Sequence, residues 1–132
     1  MDKKQVLTTL LHDGFILAFN QDKLDVVETA KAVKRAGLNN MEVTCRILKP
    51  VEKIRRLREE LPDFVIGVAS LIDNSAVIKT YNGCHGEDPL PTVDEIVAAG
   101  ASYLVSAAVF RKETYQKYAG KYPMIPGCGT VS

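Results

Sequence analysis

Cysteine is scarce in this sequence, and long apolar runs and any excess of one charge are missing. The three cysteines, Cys45, Cys84 and Cys128, are odd in number and widely spaced. That excludes a disulfide frame and makes reduced thiols in a cytoplasmic protein the expectation. No run of 18 or more apolar residues occurs, so no membrane-spanning helix is expected. The opening Met1–Gln5 and the short apolar stretch Val6–Leu11 lack the small-residue cleavage site of a signal peptide, which argues against export. Basic residues number 17 and acidic residues 16, for a net charge of +1, and a nucleic-acid partner would want a basic excess. The nearest basic run, Lys53–Arg58, carries Ile54 and Leu57 at helical spacing and reads as a solvated helix face. Walker and dinucleotide-binding glycine motifs are also missing.

What is present is an ordinary globular composition, 46% hydrophobic and 25% charged over 132 residues, enough for a single domain with its own core. Strand and helix signals alternate along it. Phe15–Phe19 is a continuous apolar run of strand length after the breaker Asp13-Gly14. From Lys23 to Ala36, Leu24, Val27, Ala30 and Val33 recur at three-residue steps, an amphipathic helix that Gly37 ends. Met41–Cys45 is the second strand, and Pro50 opens a helix over Val51–Glu60 that Pro62 closes. Phe64–Val68 is the third strand, followed by a helix around Asn74–Tyr81. A loop insertion, 82–91, and a helix over Val93–Ala99 come next. Tyr103–Val105 is the fourth strand, Arg111–Tyr118 a further helix, and Met124–Ile125 a short fifth strand. Apolar strands alternating with helices predict a parallel α/β sheet in one domain, 1–132. Thr130 or Ser132 reads as the N-cap of a helix that the sequence does not go on to supply.

Chemistry is expected at the carboxyl ends of those strands, where barrel active sites form. In Met41-Glu42-Val43-Thr44-Cys45-Arg46, alternation puts Glu42, Thr44 and Arg46 at one parity, with Val43 and Cys45 toward the covering helices. A carboxylate on an inward strand face is costly unless paired or functional. A structural pair of Glu42 with Arg46 or a lysine is the plainer alternative to an acid/base role. Arg46 at the strand end suits a substrate carboxylate through bidentate hydrogen bonds. Ser70 offers a hydroxyl at the mouth of the third strand, after Gly67. Cys84, His85, Glu87 and Asp88 cluster in the loop but lack zinc-like spacing, so no metal site is expected.

Four segments stand in register with the β/α beat: Glu42–Arg46, Ile66–Ser70, Leu104–Ser106 and Ile125–Ser132. In order and spacing they resemble the keto-deoxy-phosphogluconate/keto-hydroxyglutarate aldolase family, from about Val6 to Ser132. The resemblance implies a (β/α)8 TIM barrel, of which this chain supplies about five parallel strands. It implies a class I 2-keto-acid aldolase that needs no cofactor, commonly a trimer, releasing pyruvate through a Schiff base. Carried over by position, Glu42 is the acid/base, Arg46 holds the pyruvate carboxylate, and Ser70 stands where the family usually has a substrate-contacting threonine. Leu17, Asn20 and Ala107 depart from the family pattern. The Schiff-base lysine is expected on a sixth strand that is not in this chain, and Lys49, Lys79, Lys112 and Lys121 read as surface residues. Little or no activity is therefore expected of this chain alone. The alternative is a non-catalytic half-barrel that binds keto acids or self-associates. A thiamine-phosphate-synthase-like barrel is disfavoured by the placement of Glu42 and Arg46.

Overall fold

The computed structural model describes residues 1–127. The readings placed on Cys128 and on Thr130 or Ser132 lie outside the described residues. The chain opens with α1 (Lys3–Asp13), β1 (Ala18–Phe19), α2 (Val26–Arg35) and β2 (Asn40–Thr44). It continues through α3 (Pro50–Glu60), β3 (Val65–Leu71), α4 (Ser75–Cys84) and α5 (Val93–Ala99). It ends in β4 (Tyr103–Ser106), α6 (Lys112–Tyr118) and β5 (Met124–Ile125). The strands form one sheet in chain order, β1-β2-β3-β4-β5, and every pair is parallel. Parallel neighbours need crossovers, and here helices supply all of them, stacking on one face. The main core lies between that helical layer and the sheet, built from Val27, Ala30, Met41, Val43, Ile54, Leu57, Ile66, Val68, Ile96 and Leu104. Val43 and Cys45 face it, as alternation requires.

The opposite, inner face carries a second, smaller cluster in which Val6 of α1 packs on Val65 and Tyr103, flanked by Leu10 and Val105. Helix α1 is an element that the apolar stretch Val6–Leu11 alone does not signal. Its signal is a capping box: the Asp2 carboxylate accepts from Gln5 N, and the Gln5 side chain accepts from Asp2 N, both at 2.8 Å. At the other end Asp13 Oδ2 accepts from Asn39 N at 2.6 Å and from Asn40 Nδ2 at 2.7 Å, tying α1 to the start of β2. Burial pushes the Asp13 carboxyl up, but these bonds and His12 outweigh it and hold the group below its ordinary value.

Several boundaries move. Of the apolar run Phe15–Phe19, only Ala18 and Phe19 pair with β2, and Phe15 and Ile16 are exposed, as suits an edge strand with one neighbour. Helix α2 starts at Val26 rather than Lys23, because the Asp25 carboxylate accepts from Val27 N and Glu28 N, and Leu24 is left outside. Helix α4 takes in Asn82, Gly83 and Cys84, which sequence reading places in the loop 82–91. This helix buries none of its side chains.

The solvated-face reading of Lys53–Arg58 fails at Arg58. The Arg58 guanidinium turns inward and donates to Gly100 O (3.1 and 2.8 Å), Pro62 O (2.7 Å), Phe64 O (3.0 Å) and Ser102 Oγ (2.8 Å). Ser102 Oγ in turn accepts from Ile66 N at 3.0 Å, so one arginine joins α3, the entry to β3 and the α5–β4 turn.

Candidate active site

Strand register places the site. Glu42 of β2 lies opposite Ala18 of β1 and Gly67 of β3, and Gly67 lies opposite Tyr103 of β4. Ala18, Glu42, Gly67 and Tyr103 thus form one row across the inner face, with Thr44 and Ala69 one step nearer the strand ends. Glu42 is half-buried. Among the described residues it makes no ion pair, so the structural pairing with Arg46 or a lysine does not form. Burial pushes its carboxyl above the ordinary value, and the Tyr103 hydroxyl pulls only partly the other way. The Tyr103 hydroxyl is itself pushed up, by burial first and then by Glu42.

A stability test follows from that direction. Below the ordinary glutamate value of 4.5 the group is protonated folded or unfolded and has no effect on the balance. As pH climbs past it, the unfolded chain releases the proton first, so stability falls until the folded group also ionises, and the deficit is constant above that. Glu42→Gln is therefore expected to unfold at the same urea concentration as the parent near about pH 3, and at a higher one near about pH 8. Parallel urea midpoints across that range would contradict the buried, unpaired carboxyl.

At the strand mouths the other two expected residues come together through one that sequence reading left unassigned. Thr44 Oγ1 lies 2.9 Å from Ser70 Oγ, and accepts from Arg46 N at 3.2 Å and, weakly, from Arg46 Nε at 3.4 Å. Thr44 is thus the joint between Ser70 and Arg46, one step above Glu42 on the same face. Its signal was the shared parity with Glu42. Arg46 lies past the end of β2 in a turn and its side chain is exposed. Ser70 sits where the β3–β4 register shifts, with a left-handed φ of 63°, a conformation that strains a residue with a Cβ. On β4, Ser106 Oγ accepts from Gly127 N at 2.8 Å, and Gly127 packs too closely on the Ser106 and Ala107 backbone to carry a side chain.

The remaining reactive residues lie elsewhere. Cys45 is buried in the helical core, and burial pushes its thiol up to about 12, which makes it inert. The His85 ring stacks on Tyr81 at 4.0 Å with its Nδ1 3.0 Å from Tyr81 O, and Asp88 accepts from Lys49 N. No cluster of three or more metal-ligating side chains exists among the described residues. None of the five strands carries a lysine, and Lys49, Lys79, Lys112 and Lys121 are exposed on helices or loops. A cavity of about 380 Å³ lined by Ile78, Val93, Arg111 and Tyr118 lies among the helices, away from Glu42.

No protein-family model matches the chain. Over 106 residues it is 28% identical to a 2-dehydro-3-deoxy-phosphogluconate aldolase of Dickeya dadantii, which covers 80% of this chain and 42% of that protein. It is 26% identical over the same length and shares to the KHG/KDPG aldolase of Escherichia coli. These two relatives are KDPG/KHG aldolases. The chain spans less than half the length of these curated relatives. A solved 4-hydroxy-2-oxoglutarate/2-dehydro-3-deoxyphosphogluconate aldolase superposes with a TM-score of 0.66 at 20% identity, over 95% of this chain and 54% of the other. A KDPG aldolase from Legionella pneumophila, solved with pyruvate captured as a covalent carbinolamine, gives 0.62 at 24% identity, over 87% and 48%. The parallel sheet is the one the β/α beat predicted, and the fold is that of a KDPG-aldolase TIM barrel across about half of such a barrel, as the resemblance implied.

Proposed function

We propose that this chain carries the proton-transfer and carboxylate-binding groups of a class I 2-keto-acid aldolase acting on pyruvate-type substrates. The observation that supports it best is Glu42. A carboxyl on the inner face of a parallel sheet, with no cation among the described residues to pair it, has no structural duty there. Its raised affinity for protons suits a group that must take a proton from carbon and return one near neutral pH. Arg46 supplies a guanidinium at the strand mouth for a carboxylate, where two parallel N–H donors add geometry as well as charge. The Thr44–Ser70 hydroxyl pair stands beside it to fix the same end of the substrate. The reaction in this reading runs through a Schiff base, and with no lysine on any described strand the 132-residue chain binds pyruvate without forming one. A cytoplasmic location and a trimeric assembly belong to the same reading.

Pyruvate titration monitored by amide NMR tests it. Shifts are expected to concentrate at residues 44–48 and 70–72, and Arg46→Ala is expected to weaken the response about tenfold or more, the scale of one lost charge-assisted hydrogen bond. Borohydride added in the presence of pyruvate is expected to leave no adduct. Shifts confined to another surface would sink the binding assignment, and a trapped adduct would show that a lysine of this chain serves after all.

A further inference from the structure

We propose that Tyr103 is a positioning residue for Glu42: its ring reaches across Gly67 and brings its hydroxyl to the Glu42 carboxyl, fixing where that carboxyl points on the inner face. The inference rests on the reading of Glu42 as the proton carrier. Its first support is register, which sets Glu42, Gly67 and Tyr103 side by side on three adjacent strands. Its second is the space over Gly67. A methyl group built on that residue would overlap Tyr103 Cζ, Cε1 and the hydroxyl, so the far end of the ring lies along the row toward β2. The third is that hydroxyl itself. Tyr103 is fully buried, its oxygen has no hydrogen-bond partner among the described residues, and Glu42 is the ionisable group that acts on it. A buried hydroxyl left unbonded is costly, which favours its turning to the acid on the neighbouring strand.

The charged groups around Glu42 are few. Strands β1, β3 and β5 bring no titratable side chain. His12 and Asp13, at the end of α1, lie toward the start of β2, where Asp13 is taken up by Asn39 and Asn40. Arg46 lies beyond the mouth and is turned onto Thr44. Of all these only Tyr103 acts appreciably on Glu42, favouring the ionised form while burial favours the neutral one.

The test uses Tyr103→Phe, which keeps the ring and removes the donor. With the Glu42 carboxyl carbon followed by NMR in the absence of substrate, its titration midpoint is expected to move up in Tyr103→Phe, with the amide spectrum otherwise retained. In the parent chain the Tyr103 carbon that bears the hydroxyl is expected to respond at the Glu42 midpoint, and in Glu42→Gln that response is expected to vanish. An unmoved Glu42 midpoint overturns the proposal. If Tyr103→Phe fails to fold, the parent chain decides alone: a Tyr103 carbon that does not track Glu42 overturns it, and one that does supports it. Both readouts are free of substrate, so they stand apart from the pyruvate titration, whose failure would sink the functional reading without touching the coupling.

Discussion

Arg58→Ala is expected to destabilise the fold by about 2–4 kcal/mol, although Arg58 touches no residue of the site. The guanidinium serves four acceptors at once, three backbone carbonyls and the Ser102 hydroxyl. Hydrogen bonds from a charged donor contribute about 1.5–3 kcal/mol each in isolation, but they share one side chain and do not add. Arg58 is also half-exposed, so water replaces part of what is lost, and the estimate is held below the simple sum. Against a domain stability of about 5–15 kcal/mol the loss is large. Gly100 shows how closely the joint is fitted. Its φ of 114° is open to glycine alone, and a Cβ there would lie 2.8 Å from Arg58 Cγ. Arg58→Lys keeps the charge but not the planar fork, and is expected to recover less than half of the loss. Urea unfolding of the three proteins measures this directly. Equal midpoints for Arg58→Ala and the parent would return Arg58 to the solvated face assigned from sequence.

That assignment failed for an instructive reason. Helical periodicity marks Ile54 and Leu57 as core, and the structure buries both, but periodicity counts every charge between them as surface. An arginine with a long apolar stem can leave that face when carbonyls lie within reach, and here two of them are close in the chain, at Pro62 and Phe64, while Gly100 is 42 residues away. The same limit explains the site. Glu42 was legible because a carboxylate in an apolar strand is locally anomalous. Arg46 and Ser70 were legible as positions at strand ends. Tyr103 was read only as strand, since nothing near it in sequence tells that its ring crosses β3 to reach β2. Thr44 was placed on the correct face, yet its part as the joint between Ser70 and Arg46 needs the β2–β3 register. Helix α1 was missed although Asp2, Gln5 and Gly14 spell its caps, because the apolar stretch inside it was weighed only as a leader. Local chemistry was readable, and pairings across strands were not.

Gly67→Ala puts the pairing at the centre of the site to the test. The added methyl would enter space held by the end of the Tyr103 ring, and that ring is fully buried between β3, β4 and Val6. Overpacking in a well-filled core costs about 1–3 kcal/mol, and the upper end applies here because the methyl would overlap three atoms of a fully buried ring. A drop of roughly 10 °C in melting temperature is the corresponding readout for a domain of this size. The second substitution discriminates the cause. Tyr103→Phe leaves Cζ and Cε1 in place, so Gly67→Ala is expected to be almost as damaging on that background. Tyr103→Leu removes those atoms, and there the same alanine is expected to cost about 1 kcal/mol or less, an interaction energy that a double-mutant cycle isolates. If Gly67→Ala is instead neutral on the parent background, the ring does not lie across Gly67, and the route by which Tyr103 reaches Glu42 goes with it.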